Sequence, residues 1–317
     1  MALPPAGEKV LEGKAIGSLL TQTERAFDRR REDYDYVPVI VKRSDQAKTH
    51  PDDILERAIL EGSEQLKRGK LSLFLSAMAA GLILGFAAMA VAVVTMIGSH
   101  WGLTAAGQRL LMALVYPLAF VICLQSGTQL FTEHTATAVY PVLDRKFRLW
   151  SLLRLWCLVL LGNLVGATII AYFLSATEVI VQAQSGYAQV AKHLLAGGSG
   201  DIIFSAILAG WLMAQGGWMV LGNTNPVGQI MGIYMVTFLI GLGGLHHSIA
   251  GTAELMTAFF LDPQLSFRLI ASTIGLAIVG NLIGGSVFVA TLNYAHIRST
   301  QAKMDARRPR QNPVTQL

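Results

Sequence analysis

Charged residues are scarce in this chain of 317 residues, where Asp, Glu, Lys and Arg together account for only 14%. A typical soluble domain carries about 25%. The charges also avoid long apolar segments that contain no Asp, Glu, Lys, Arg or His, namely 71–99, 110–132, 155–177, 202–245 and 269–295. About 20 apolar residues cross a bilayer as a helix. The composition therefore excludes a soluble globular protein and predicts an all-α integral membrane protein.

Cysteine is scarce as well, and the only two, Cys123 and Cys157, both lie inside apolar segments. Buried thiols usually act as small apolar fillers, and this pair excludes a disulfide framework. Neither is spaced for metal binding, so we expect no metal and no cofactor. The amino terminus is charged and lacks a short apolar core, so we expect no cleavable signal peptide.

Six crossings follow from the lengths of the apolar segments. The segment 202–245 is long enough for two, and the sequence NTNP at 223–226 divides it, because Asn and Pro favour turns. The second and fifth spans, 108–143 and 226–261, each have about 36 residues, which is too many for one uninterrupted crossing. We therefore expect both spans to be broken inside the membrane.

The polar ends of the chain complete a division into four regions. These are a disordered cytoplasmic tail at 1–50, an amphipathic surface helix at 51–69, a six-span transporter or channel domain at 70–298 and a basic cytoplasmic tail at 299–317. Basic residues flank the spans mainly on one side: Lys67, Arg68, Lys70, Arg145, Lys146, Arg148, Arg154, Arg298, Lys303, Arg307, Arg308 and Arg310. The positive-inside rule then places both termini in the cytoplasm, in the cell inner membrane. The run RRR at 29–31 indicates contact with anionic membrane lipid, and we expect no nucleic-acid partner.

The segment 240–255, IGLGGLHHSIAGTAEL, places unusual groups inside an apolar stretch. Three glycines loosen its backbone, and His246, His247, Ser248 and Glu254 follow them. Ionisable groups at membrane depth are costly and mark functional sites. Irregular backbone is tolerated there only where it lines a cavity or is buried in protein. We therefore predict that this segment is the centre of a transport pore.

An internal repeat leads to the same segment without using the histidines. The sequence GNLVG at 162–166 recurs as GNLIG at 280–284, an offset of 118 residues. The same offset places the polar stretch 125–132 of span 2 on 243–250 of span 5. Two halves with three spans each must be inverted relative to each other, and matching interrupted helices in such repeats indicate a substrate site near the midplane. The small residues and asparagines of the two motifs predict close helix packing with interhelical hydrogen bonds.

These residues together resemble the formate/nitrite transporter family. The resemblance rests on LFT at 130–132, the two GNL sequences at 162–164 and 280–282, and HSIA at 247–250, and it covers about 51–298. It implies a homopentamer in which each protomer has its own pore and an aquaporin-like six-span fold. The chain is identified as a divergent member with a long N-terminal extension.

The resemblance also implies roles for individual side chains. The central histidine of the family matches His247, and the threonine that it contacts matches Thr132. Two hydrophobic constrictions are implied, one near Phe120 and Ile240 and the other near Leu130 and Phe131.

Two departures from the family pattern concern the outer vestibule and span 4. The family usually has a lysine shortly before span 4, where this chain reads GGSGD at 197–201, and Lys192 lies too early to match it. An asparagine expected within span 4 is also missing, and Ala214 and Gln215 occupy that region. Conversely, Glu133, His134, His246 and Glu254 add ionisable groups near the centre.

The residues suggest a proton-linked mechanism. An unpaired anion in an apolar constriction faces a large desolvation cost, which a weak acid avoids by crossing in its neutral form. Histidine, with an ordinary pKa near 6.5, is the natural proton donor or electrostatic relay. We therefore expect His247, held by Thr132 and Ser248, to favour protonation of a small monovalent anion.

Three further residues are candidates to support this centre from behind. His246 is adjacent to His247 and so faces another direction, and Glu133 is expected to order the break in span 2. Glu254 either pairs with a neighbour or faces a vestibule.

Two other functions remain open from the sequence. A channel for a small neutral solute fits the missing lysine and the implied aquaporin-like fold. A membrane-embedded metal or enzyme site made of His246, His247 and Glu254 is less well supported, because their spacing matches no metal motif, and we expect no enzyme. Formate, nitrite, hydrosulfide, acetate and lactate are all small monovalent ions, and no residue distinguishes them.

Overall fold

The computed structural model describes residues 50–307, and every regular element in that range is a helix. The helices are α1 (Pro51–Lys67), α2 (Lys70–His100), α3 (Ala105–Val115), α4 (Pro117–Gln125), α5 (Phe131–Thr137), α6 (Tyr140–Leu143), α7 (Leu149–Ala176), α8 (Glu178–Val181), α9 (Gln184–Leu194), α10 (Ser199–Leu221), α11 (Pro226–Gly243), α12 (Ser248–Leu261), α13 (Phe267–Ile283), a π-helical segment (Gly284–Thr291) and α14 (Leu292–Arg307). The predicted tail at 1–50 lies outside the described residues except for its last residue. The predicted tail at 299–317 begins as the end of α14, and the rest of it also lies outside.

Six helical stretches are long and apolar enough to cross a membrane, as the sequence predicts. They are Lys70–His100, Ala105–Gln125, Leu149–Ala176, Ser199–Leu221, Pro226–Gly243 and Phe267–Ala302. The sixth stretch combines α13, the π segment and the start of α14. With an even number of crossings, α1 and α14 lie at the same end of the bundle and pack against each other. We call this the proximal end and the opposite one the distal end.

Both predicted breaks are present, and they match each other in position and geometry. Helix α4 ends at Gln125 and α5 begins at Phe131, while α11 ends at Gly243 and α12 begins at Ser248. Each break contains a glycine in the left-handed conformation, Gly127 with φ of 63° and Gly244 with φ of 59°. Residues with a side chain adopt this conformation at a cost of about 1–2 kcal/mol, which explains the glycines.

Close helix packing joins the spans within each repeat. Helix α7 lies along α2, and α13 lies along α10. A Cβ atom at Gly166 would overlap the carbonyl oxygen of Met78 on α2, and one at Gly284 would overlap that of Ile207 on α10. The final glycines of GNLVG and GNLIG therefore allow backbone-to-backbone contact, and the predicted small-residue packing is confirmed.

Helix α1 covers part of the proximal end of the bundle. Its apolar face, which includes Leu55, Ile59 and Leu66, is buried against the helices of that end. Two arginines fix it: Arg57 donates to the carbonyl oxygen of Leu221 at 3.1 Å, and Arg154 donates to that of Leu66 at 2.6 Å. A helix thus occupies 51–67 of the predicted 51–69, and its apolar face is covered by the protein itself; its place on the membrane surface stays a prediction.

Candidate functional site

Asn163 on α7 holds the break in span 2. Its side-chain oxygen accepts the backbone N–H of Phe131 at 2.8 Å. Its amide nitrogen donates to the carbonyl oxygens of Gln129 at 2.9 Å and Ala77 at 2.7 Å. One buried side chain thereby satisfies the first N–H of α5 and joins the break to α2 and α7.

Asn281 on α13 holds the break in span 5 in the same way. It accepts the N–H of Ser248 at 2.8 Å and donates to the carbonyl oxygens of His246 at 2.9 Å and Ala206 at 2.8 Å. The predicted role of the two asparagines as interhelical hydrogen-bond donors is confirmed. We call these two sets of bonds the asparagine clamps.

The clamps bring Thr132 and His247 together between the two short helices. The hydroxyl of Thr132 lies 3.0 Å from Nε2 of His247, and the two residues are 0% and 2% exposed. Nδ1 of His247 accepts the backbone N–H of Ala250 at 3.2 Å, which caps α12. Since a backbone N–H can only donate, Nδ1 carries no proton, and the neutral ring donates from Nε2 to Thr132.

The electrostatics of this centre favour negative charge. Helices α5 and α12 both begin here, and helix N-termini carry partial positive charge and bind anions. A second proton on His247 would break the cap of Ala250 and add positive charge at these helix ends. The ring of Phe120 meets the ring of His247 edge-on, with centroids 5.1 Å apart.

Two cavities approach this centre from opposite ends. The proximal cavity encloses about 390 Å³ including its open part, and it is lined by Phe120, Cys123, Leu124, Thr128, Leu130, Glu133, Met213, Gly217, Val220 and Ile233. The distal cavity encloses about 210 Å³, and it is lined by Leu194, His246, His247, Ser248, Gly251, Leu255, Thr273, Ile274 and Ala277. Since Phe120 lines one cavity and His247 the other, their contact lies at the division between the two.

The four residues proposed for the constrictions are not equivalent in position. Phe120 and Leu130, which the resemblance assigns to different constrictions, line the same proximal cavity. Ile240 and Phe131 are buried and are absent from the lining of either described cavity. The carbonyl oxygen of Ile240 accepts the N–H of Leu245 at 3.0 Å, which helps to end α11.

His246 lines the distal cavity and also connects three elements. Its Nε2 donates to the carbonyl oxygen of Leu194 at 2.9 Å, at the end of α9. The hydroxyl of Ser205 on α10 accepts the backbone N–H of His246 at 3.1 Å and donates to its Nδ1 at 2.9 Å. Ser205 was missed from the sequence, although a single hydroxyl in an apolar span is a visible signal. The hydroxyl of Ser248 has no hydrogen-bond partner among the described residues, so it does not hold His247.

The two acids near the centre have different environments. Glu133 lines the proximal cavity, and no hydrogen bond from its carboxylate to the break in span 2 is found in the described part of the chain. The expected ordering of that break comes from Asn163 instead. Glu254 is 5% exposed and lines neither cavity; the phenols of Tyr116 and Tyr187 lie within electrostatic range of it. Within residues 50–307, no three His, Cys, Asp or Glu side chains are close enough to hold a metal ion.

The π segment supports Thr132 from behind. Ser286 donates to the carbonyl oxygen of Thr135 at 2.8 Å, and the hydroxyl of Thr135 donates to the carbonyl oxygen of Thr132 at 2.7 Å. A Cβ atom at Gly285 would overlap the Thr135 side chain. The widened helix therefore fits against the first turn of α5, in keeping with the frequent occurrence of π-helical turns at functional sites.

Comparison with known proteins gives consistent matches over the membrane domain. A family model described as "Formate/nitrite transporter" matches residues 52–295. Inner membrane protein YfdC of Escherichia coli (strain K12) is 30% identical over 255 residues, which is 78% of this chain and 80% of that protein. A probable formate transporter of Methanothermobacter thermautotrophicus is 27% identical over 252 residues, or 74% of this chain and 91% of that protein.

Solved structures share the fold. One described as an FNT family ion channel has a TM-score of 0.70 at 19% identity and covers 78% of this chain and 99% of its own. A pentameric formate channel with formate bound has a TM-score of 0.61 at 21% identity and covers 72% of this chain and 98% of its own. These likenesses confirm the predicted six-span, aquaporin-like fold with two interrupted helices.

Proposed function

This chain belongs to the formate/nitrite transporter family, and we propose that it carries the small monovalent anion of a weak acid, such as formate or nitrite, together with a proton. As a member of this family it transports anions and is not an enzyme. The observation that carries the proposal is the buried pair of His247 and Thr132, placed between two cavities and at the start of two facing helices.

The geometry suggests how an anion is accepted and then neutralised. Nε2–H of His247 and the hydroxyl of Thr132 donate to an anion that replaces their mutual hydrogen bond, and the helix starts stabilise its charge. The apolar contact at Phe120 rejects a bare anion, because desolvation of an unpaired charge is costly. The substrate therefore passes Phe120 as the neutral acid, after it has taken up a proton from water in the cavity by which it enters. Phe120 and Leu130 form the proximal barrier, and Ile240 and Phe131 support the walls.

Assembly and orientation belong to the same proposal. The matched formate channel is described as pentameric, and we infer a homopentamer for this chain. Large apolar side chains exposed along the outer helices, such as Phe86, Phe173 and Phe204, fit contact with lipid or with neighbouring protomers. The positive-inside pattern and the inner-membrane relative support an inner membrane location with both termini cytoplasmic. The proximal cavity then faces the cytoplasm.

Flux into proteoliposomes tests this proposal. Purified protein is assayed for uptake of formate, nitrite, acetate, lactate and hydrosulfide under pH gradients of both signs, with a trapped pH dye to detect the accompanying proton. His247→Ala should lower formate flux by at least about tenfold, the equivalent of about 1.4 kcal/mol, while the size of the oligomer stays the same. His100→Ala is the matched control, because His100 is an exposed histidine at the distal end of α2. Flux and pH dependence equal to wild type in His247→Ala would contradict the proposal.

A channel for a neutral solute is the second candidate. The linings of the two described cavities include no Lys or Arg, and Lys192 is exposed at the end of α9. Such a channel predicts passage of glycerol or urea that is independent of pH, without movement of protons. The same vesicles distinguish it from the proposed anion route.

A further inference from the structure

Glu133 is a carboxyl group that the mechanism above does not use, although it lies on the proposed pathway. It follows Thr132 directly and lines the proximal cavity together with Phe120 and Leu130. Its Cγ atom would be 3.5 Å from a Cβ at Gly217, so the stem of the side chain lies across the bare backbone of α10. The carboxylate is therefore on the proximal side of the apolar contact that an anion must cross.

The described lining of the proximal cavity includes no cation beside Glu133, and no hydrogen bond to its carboxylate is found among residues 50–307. Among the described residues, Glu61 of α1 and Cys123 of α4 lie within electrostatic range of Glu133. Arg68, which follows α1, lies within electrostatic range of the adjacent His134. The adjacent His134 donates through Nε2 to the side-chain oxygen of Gln129 at 2.5 Å. The other described residues that line the cavity carry no charge.

Such a site favours the neutral acid over the carboxylate. A charge without a partner in an apolar cavity is costly, and a second acid nearby increases that cost. A neutral carboxyl keeps an O–H, which is a donor that an arriving anion can use. The remaining lining of the cavity is apolar apart from Thr128 and Cys123, and the hydroxyl of Thr128 already donates to the carbonyl oxygen of Cys123 at 3.2 Å.

We propose that Glu133 is the proton-exchanging residue of the proximal cavity, and that it hands a proton to a weak-acid anion before the anion meets Phe120. In this step the O–H bond of the Glu133 carboxyl breaks and an O–H bond forms on an oxygen of the anion. The negative charge moves from the substrate to Glu133, and the neutral acid passes Phe120. Beyond Phe120 the acid releases its proton to water of the distal cavity, and the pair of His247 and Thr132 holds the anion. Water at the open end of the proximal cavity then returns a proton to Glu133. Transport in the other direction reverses each transfer.

This inference rests on the proposed function and adds the side of Phe120 on which the proton is exchanged. The proximal cavity has an acid on the pathway, whereas the comparable buried acid of the distal half, Glu254, lines neither cavity. Proton exchange is thus assigned to one side of the barrier.

The test is formate flux in proteoliposomes as a function of pH for wild type, Glu133→Gln and Glu254→Gln. At about pH 8, Glu133→Gln should transport about 100-fold more slowly, the lower end of the effect of a positioned proton-transfer group. At about pH 5 the difference should shrink, because more of the acid forms in water and enters already neutral. Glu254→Gln should keep the wild-type profile.

Each outcome is decisive for one of the two proposals. A wild-type protein that passes neutral solutes but no weak acid overturns the proposed function, and this inference with it. Proton-linked flux in wild type with an unchanged profile in Glu133→Gln overturns only the role of Glu133. An equal loss of flux at every pH also overturns it, because that is the effect of a structural change.

Infrared difference spectra decide the matter if Glu133→Gln does not assemble. In Glu254→Gln protein, addition of formate should shift or remove the band of a protonated carboxyl group. A spectrum without any carboxyl change on addition of formate would overturn the inference.

Discussion

Replacing Asn281 by alanine should destabilise the protein strongly, although Asn281 touches neither the proposed substrate nor the ring of His247. The side chain makes three buried hydrogen bonds at 2.8–2.9 Å, to Ser248, His246 and Ala206. Ala206 lies inside α10, so its carbonyl oxygen keeps its helical hydrogen bond when the Asn281 side chain is removed. The N–H of Ser248 and the carbonyl of His246 lie at the break and lose the bond that satisfies them.

The size of the effect follows from these two groups. A buried backbone group left without a partner costs about 1–3 kcal/mol. Hydrogen bonds between membrane helices average only about 0.6 kcal/mol, because the reference state finds other partners. The two backbone groups at the break have no alternative partner unless α12 itself shifts, so we expect the free energy of unfolding to fall by about 2–4 kcal/mol in total. In a domain of 150–250 residues, each kcal/mol lowers Tm by about 2–4 °C, which gives a decrease of about 4–16 °C.

Thermal unfolding of the purified protein in detergent measures this decrease. Asn163→Ala is the matched variant, because the other asparagine clamp contains the same three kinds of bond, and it should lower Tm by a similar amount. Asn225→Ala is the control; it removes one exposed bond to the N–H of Val227 and should cost about 1 kcal/mol. A Tm for Asn281→Ala within the range of Asn225→Ala would refute the reasoning.

Two further changes test the centre itself. Thr132→Val keeps the shape of the side chain but removes the oxygen that lies 3.0 Å from Nε2 of His247. Formate flux should fall at least about tenfold, and Thr132→Ser should keep most of the wild-type flux. Equal flux in Thr132→Val and wild type would contradict a role for the hydroxyl. Gly244→Ala should lower Tm, because a Cβ atom would enter the left-handed conformation and overlap the ring of His193. Adding His193→Ala should recover part of the lost stability, and an absence of recovery in thermal unfolding would show that the overlap is not the cause.

The spans and their breaks could be predicted because they depend on local composition. Apolar segments without charge indicate crossings whatever their partners are. The left-handed Gly127 and Gly244 lie within the stretches that the repeat offset aligned, and the asparagines of the GNL motifs make the predicted interhelical bonds. To predict these features, only the type of a residue and its position along the chain are needed.

The arrangement of side chains around the centre could not be predicted in the same way. Phe120 lies on α4 and Leu130 is the last residue of the break that follows this helix, and only the path of the break in space brings both into one cavity. His246 bonds to Ser205 and Leu194 because α9 and α10 meet the break in space. The π segment was not predicted either; it lies against α5, where Ser286 donates to the carbonyl oxygen of Thr135.

The cap of α12 ties the charge of one ring to one backbone amide. The N–H of Ala250 and an added proton compete for the same lone pair on Nδ1 of His247. Charging the ring therefore releases that amide from its partner, and loosening the first turn of α12 frees the nitrogen to take a proton. The amide resonance and hydrogen-exchange rate of Ala250 consequently serve as a built-in indicator of the protonation state of His247, readable without any change to the side chain.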